Sequence, residues 1–173
     1  MDLRSKSGQP LARYFPEIVA AMRKAGAKKF LIDGEIVVPV QGELSFDDLL
    51  QRIHPAKSRV EKLARDTPGC FIVFDLLVDE RGTDLTARTL EDRRPRLEKF
   101  FARYLEGAGG FQLSPCTHDR DVAERWLHGH AGTDGVMAKR LDEPYRSGDR
   151  SAMRKIKRIR TADCVVGGFR YAS

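Results

Sequence analysis

The sequence has no apolar run long enough to span a bilayer, and its mean hydropathy is −0.44, which argues against a membrane-spanning helix. Its opening residues, Met1-Asp2-Leu3-Arg4, lack the apolar stretch of a signal peptide, so a cytoplasmic location is expected. Cysteine is scarce. Cys70, Cys116 and Cys164 are far apart and odd in number, and no pair has metal-ligand spacing. Cys70 and Cys164 border apolar runs and read as reduced core residues. No GxGxxG and no GxxxxGK[ST] occurs, so neither a Rossmann nor a P-loop nucleotide site is supported. Internal repeats and low-complexity stretches are also lacking. His128 and His130 stand two apart, but spacing supplies no third ligand nearby, and they follow a helical pattern into a glycine turn.

What is present fits one soluble domain. The chain has 173 residues, 41% of them hydrophobic and 32% charged, enough to bury a core. The net charge is +6. Positive charge is dense from Lys139 to Arg160, which permits a polyanionic partner and is equally compatible with a solvated basic face.

Periodicity places the elements. Phe15, Ile18, Val19 and Met22 predict an amphipathic helix over Tyr14 to Lys24, ended by Gly26. Phe30 to Val38 reads as a strand. Ser45 and Asp48 form a capping box ahead of Phe46, Leu49, Leu50 and Ile53. A short helix is expected from Arg59 to Arg65, and Cys70 to Val78 reads as a central strand. Thr89 and Asp92 could cap a helix holding Leu90, Leu97, Phe100, Phe101 and Tyr104. A further helix holds Val122, Ala123, Trp126 and Leu127. Strands follow at Gly135–Lys139, Ala152–Lys157 and Asp163–Phe169. The nearly all-β final part favours hairpin-linked antiparallel pairing over a doubly wound sheet.

Four clusters have chemistry in them. Asp33 and Glu35 share one face of an apolar strand, opposite Ile32 and Ile36. Two acids there need water, a cation or a donor such as a ribose hydroxyl. Phe74 sits mid-strand, expected on the same side as Ile72 and Leu76. It is either a core aromatic or, if the strand lines a pocket, a base-stacking ring. Asp134 opens DGVMAKR at a glycine turn, and Lys139 follows five residues on. Lys155 and Lys157 stand two apart and would share a strand face. An acid able to hold a metal beside converging lysines suits a polyphosphate. A basic edge strand that discourages aggregation is the plain alternative.

Taken in order, DGE at Asp33, FDLL at Phe74, DGVMAK at Asp134, and KIK followed by RTADCVVGGF resemble nucleotidyltransferase motifs III, IIIa, IV and V of ATP-dependent DNA ligases. RSKSGQPLARYFPEIV resembles motif Ia and the helix after it. The segment Gln51 to Asp75 and the stretch Thr161 to Phe169 are similar to the bacterial ligase C-like branch. The resemblance covers essentially the whole chain. It implies an α+β fold, mostly antiparallel sheets flanked by helices, of the ATP-grasp-like ligase nucleotidyltransferase type and incomplete at the N-terminus. Residues 1–173 would be a partial adenylation domain, motifs Ia to V, without the OB-fold domain.

The resemblance also implies roles. Glu35 would contact the ribose of the adenylate, and Phe74 would stack on adenine. Asp134, where many ligases have Glu, would hold Mg²⁺ or Mn²⁺. Lys139, Lys155 and Lys157 would contact the nucleotide, the last two near the α-phosphate as charge-stabilising catalytic lysines. Lys6 occupies a motif Ia position that is usually Arg, keeping the charge without the planar fork. The implied cofactor is ATP, bound as AMP. The implied partner is nicked or broken double-stranded DNA, in repair and recombination, with no membrane. The family's nucleophilic lysine lies in a KxDG motif, and no KxDG occurs in this sequence. The chain alone is therefore expected not to self-adenylate, and upstream and OB segments could act in trans. A non-catalytic nucleotide- or DNA-binding module is the alternative. An RNA ligase or capping enzyme shares the motif order, but HPAKSRV and RTADCVVGGF point away from it.

Overall fold

The computed structural model describes residues 2–129, 135–149, 151–157, 165, 167 and 168 of the chain. Asp134, His130, Cys164 and most of the strand expected at Asp163–Phe169 lie outside the described residues.

A long central strand, β4 (Cys70–Val78), organises the molecule. Its residues Phe71 and Val73 turn into the core, while Cys70, Ile72 and Phe74 stay half-exposed on the other face. This is the alternation a strand imposes. β1 (Leu31–Val37) pairs with it antiparallel, and β5 (Phe111–Leu113) pairs with it parallel, giving the order β1-β4-β5. Between them in sequence lie a small hairpin, β2 (Pro39–Val40) with β3 (Glu43–Leu44), and two helices, α2 (Phe46–Gln51) and α3 (Lys57–Asp66).

Helices α1 (Pro16–Lys24) and α4 (Leu90–Tyr104) supply the rest of the core. Ile18 of α1 and Leu97, Phe100 and Phe101 of α4 cluster with Ile36, Phe71, Val73 and Leu76 of the sheet. Burial of side chains of this size stabilises by roughly 1.5–3 kcal/mol each. Helix α1 ends at Lys24, with Ala25 at the cap position, so the stop falls just before the glycine expected to make it.

The capping box at α2 forms in altered detail. The Ser45 hydroxyl accepts from the Asp48 amide at 3.2 Å and donates to the Asp48 carboxylate. The Ser45 amide goes instead to the Val38 carbonyl, 2.9 Å away. Of the apolar residues after this cap, Leu49 packs on the core. Phe46, Leu50 and Ile53 face solvent.

Helix α5 (Arg120–Gly129) precedes a separate ribbon, β6 (Val136–Lys139) paired antiparallel with β7 (Met153–Ile156). The hairpin-linked ending expected from the sequence is this ribbon. Gly135 enters it at φ 140°, and a Cβ there would collide with the Ile156 carbonyl. Among the described residues no helix is long and apolar enough to cross a membrane. Cys70 is a half-buried free thiol, whose pKa burial pushes up, and Cys116 is free and exposed.

Candidate adenylate-binding site

The register of β1 on β4 explains the position of the first two motifs. Gly34 lies opposite Val73 and Asp33 opposite Asp75, so Phe74 has no partner across the ladder. Phe74 is the extra residue of a β-bulge. This corrects the expected facing. Ile72 and Phe74 share the outer face, but after the bulge Leu76 turns into the core with Phe71 and Val73. Strict alternation fails because one residue is inserted there.

Gly34 makes the bulge possible. A Cβ at this position would strike the Ile72 carbonyl and the Phe71 ring. With Gly34 turned inward, Asp33 and Glu35 project to the outer face together. Glu35 is exposed beside Ile72.

The ribbon supplies the lysines. Lys139 pairs with Met153, and Met137 pairs with Lys155. Directly opposite residues share a face, so Lys139 and Lys155 lie on one side. Met153 and Lys139 both line a small crevice. Lys139 lies over the Phe74 ring of the main sheet, which identifies that side as the inner one. The Lys139 ammonium sits 5.8 Å from the centroid of the Phe74 ring, within cation–π range. Lys157 follows one residue after β7 ends at Ile156, so the strand-face argument does not extend to it. Lys6 is exposed in a turn at Ser5–Gly8, set by the Arg4–Pro10 bridge, and lines no part of this crevice.

Beneath the lysine is a polar seam that sequence reasoning missed. Asp75 is buried, and Arg93 of α4 grips it with two hydrogen bonds of 2.9 Å, from Nε to Oδ1 and from Nη2 to Oδ2. The Leu76 amide also donates to Asp75 Oδ1. Tyr145 Oη donates to Asp33 Oδ2 at 3.0 Å, and the Arg93 guanidinium lies 5.8 Å from the Tyr145 ring centroid. Burial, and then the Asp33 carboxylate, push the Tyr145 phenol up to about 12, so it remains a donor at neutral pH. Lys139 is exposed as a residue, while its ammonium end lies over the Phe74 ring. Burial there pushes its pKa below the usual lysine value, while Asp75 and Asp33 pull it back up. The sequence signals for this seam are Asp33, an acid in need of a donor, and the Asp75 of FDLL. Arg93 and Tyr145 lie in unremarkable charged stretches.

The crevice encloses about 50 Å³, too little for a nucleotide, since ligand sites run to roughly 300–1,000 Å³. Phe74 and Glu35 on the outer sheet face and Lys139 and Lys155 on one ribbon face are the candidate residues for a larger anion.

A mixed sheet with a bulged aromatic and a lysine ribbon beside it form an α+β core, the fold that the resemblance to ligase nucleotidyltransferases implies. Residues 1–157 match the model of the ATP dependent DNA ligase domain, and the chain belongs to that family. It is 45% identical over 172 residues to DNA ligase C2 of Mycolicibacterium smegmatis, covering 98% of this chain and 47% of that protein. It is 42% identical over 177 aligned positions to DNA ligase C of Mycobacterium tuberculosis, covering 98% and 48%. Among solved structures, the ligase domain of M. tuberculosis LigD superposes with a TM-score of 0.65 at 29% identity, covering 90% of this chain and 47% of that chain. A mycobacterial DNA ligase D complexed with ATP and MES gives 0.64 at 28%, with the same coverage. The chain thus spans about half the length of the curated relatives it matches.

Proposed function

We propose that this chain supplies the adenylate-binding surface of an ATP-dependent DNA ligase that seals 5′-phosphate/3′-hydroxyl breaks in double-stranded DNA. The observation that supports this best is Lys139 held over the bulged Phe74 ring, with Lys155 on the same ribbon face. An aromatic beside convergent cations suits a base attached to phosphates. In this reading Phe74 stacks on adenine and Glu35 accepts from ribose hydroxyls. Lys139, Lys155 and Lys157 face the phosphates, and Lys6 adds charge from its turn.

In ligase chemistry a lysine amine attacks the α-phosphorus, and the bond to pyrophosphate breaks. AMP then passes to the 5′-phosphate of the DNA and is displaced by the 3′-hydroxyl as the phosphodiester forms. The lysines named here offset phosphate charge and do not form the covalent bond. Mg²⁺ or Mn²⁺ would neutralise further phosphate charge when bound. Among the described residues no group of three or more His, Cys, Asp or Glu could hold a metal ion. Mg²⁺ in phosphate sites needs only one or two carboxylates, the rest of its shell being phosphate oxygens and water. Asp134 fits that requirement chemically. DNA repair and recombination are the proposed setting, with the break itself as partner and a cytoplasmic location.

The test uses ATP labelled at the α-phosphate together with calorimetry. The chain should bind ATP and AMP reversibly and show no label after denaturing electrophoresis. Lys139→Ala should weaken AMP binding by roughly tenfold or more, the loss of a charge-assisted contact. A retained covalent label, or AMP binding indifferent to Lys139, would contradict the proposal.

A further inference from the structure

The ribbon has its own sheet, so something must fix it over the main one. The segment joining β6 to β7 does this. Its Leu141 and Glu143 carbonyls accept from the Glu91 and Leu90 amides at 3.0 Å, and the Tyr145 amide donates to the Thr86 carbonyl at 2.9 Å. These bonds attach the ribbon to the start of α4 and to the loop before it. Tyr145 goes further and reaches the strand that carries the DGE motif. Its hydroxyl lands on Asp33, whose cross-strand partner is Asp75, and its ring stands beside the Arg93 that grips Asp75.

We propose that Tyr145 is a positioning residue, a latch whose hydroxyl bond to Asp33 holds the lysine ribbon down so that Lys139 stays over Phe74. The inference rests on Lys139 being the phosphate-facing lysine of the proposed nucleotide site. Tyr145 touches no reacting group. It acts by closing the gap between ribbon and sheet at the bulge. The same closure crowds the Lys139 ammonium, whose charged surroundings are Asp75, Asp33, Arg93 and Arg94. Removing the hydroxyl frees the ribbon to lift, which returns that ammonium to water.

Two variants of the full chain distinguish the latch from general disruption. Tyr145→Phe keeps the ring against Arg93 and loses the hydroxyl. Asp33→Asn keeps an acceptor for Tyr145 and loses the charge. NMR titration of the Lys139 side chain should show a pKa below 10.5, the ordinary value, in the parent protein. In Tyr145→Phe it should rise toward that value, because desolvation is relieved. In Asp33→Asn it should fall further, because an attractive carboxylate is lost. AMP affinity should drop about tenfold in Tyr145→Phe while adenosine affinity stays unchanged, since only the phosphate end depends on the lysine. Movement of Lys139 in the same direction in both variants, or no movement in Tyr145→Phe, would overturn the latch. Failure of the parent chain to bind AMP would overturn the nucleotide reading alone, and the lysine titration would still decide the role of Tyr145.

Discussion

Gly34 and Phe74 show how one residue sets the geometry of a site. Phe74 leaves the ladder because Asp33 and Gly34 pair with Asp75 and Val73 on either side of it. Gly34 is the residue that lets the Ile72 carbonyl and the Phe71 ring approach this closely. Gly34→Ala should therefore destabilise the protein by about 1–3 kcal/mol, the cost of forcing atoms into a packed interior. Chemical denaturation measures this, and an unchanged midpoint would contradict the packing. The acids of DGE were legible in the sequence, because a two-residue period places Asp33 and Glu35 together. The bulge was not, since nothing local in FIVFDLL marks an inserted residue. The expected side for Leu76 was wrong for that reason.

At the scale of elements, one helix end is finished by distant chain. Thr89 was expected to cap α4 through its side chain, but it makes no such bond. The Leu90 and Glu91 amides are satisfied instead by Glu143 and Leu141. A helix start bordered by another segment takes its acceptors from that segment, and no local sequence pattern marks it. β5 escaped for a similar reason: three residues pair in parallel with β4 and carry no period of their own.

The other tertiary tie is Arg52, whose side chain is fully buried at the end of α2. It donates to Glu17 of α1 at 2.8 Å, to the Tyr14 carbonyl at 2.9 Å and to the Thr67 carbonyl at 3.3 Å. Its guanidinium lies 5.0 Å from the Phe15 ring centroid. Glu17 also accepts from the Gly69 amide, so this pair joins α1, α2 and the turn into β4. Glu17→Gln should cost about 3 kcal/mol, because it leaves a buried cation without its counter-charge. Thermal unfolding reads the loss, and a change below about 0.5 kcal/mol, the range of ordinary surface substitutions, would show that the pair does not hold these elements.

For the whole molecule, the proposed site draws on two parts that are separate in the sequence: a sheet with motifs near its centre and a ribbon near the end. Their order along the chain was enough to identify the family, which residues 1–157 match. What joins them was not legible. Asp33 and Tyr145 are 112 positions apart, and Asp75 and Arg93 are 18 apart. Such pairs are matched by folding, not by spacing. The structure groups Phe74, Lys139 and Lys155, sets Glu35 along the same sheet face, and leaves Lys6 on a separate turn.

The central claim is that the sheet and the ribbon together bind one adenylate. It is tested most directly by titrating AMP into the isotope-labelled full chain and following its NMR resonances. The Phe74 ring, Glu35, Lys139 and Lys155 should shift together along one binding curve. Shifts confined to the ribbon lysines, with the Phe74 ring unmoved, would contradict it and leave only a basic surface that attracts phosphate.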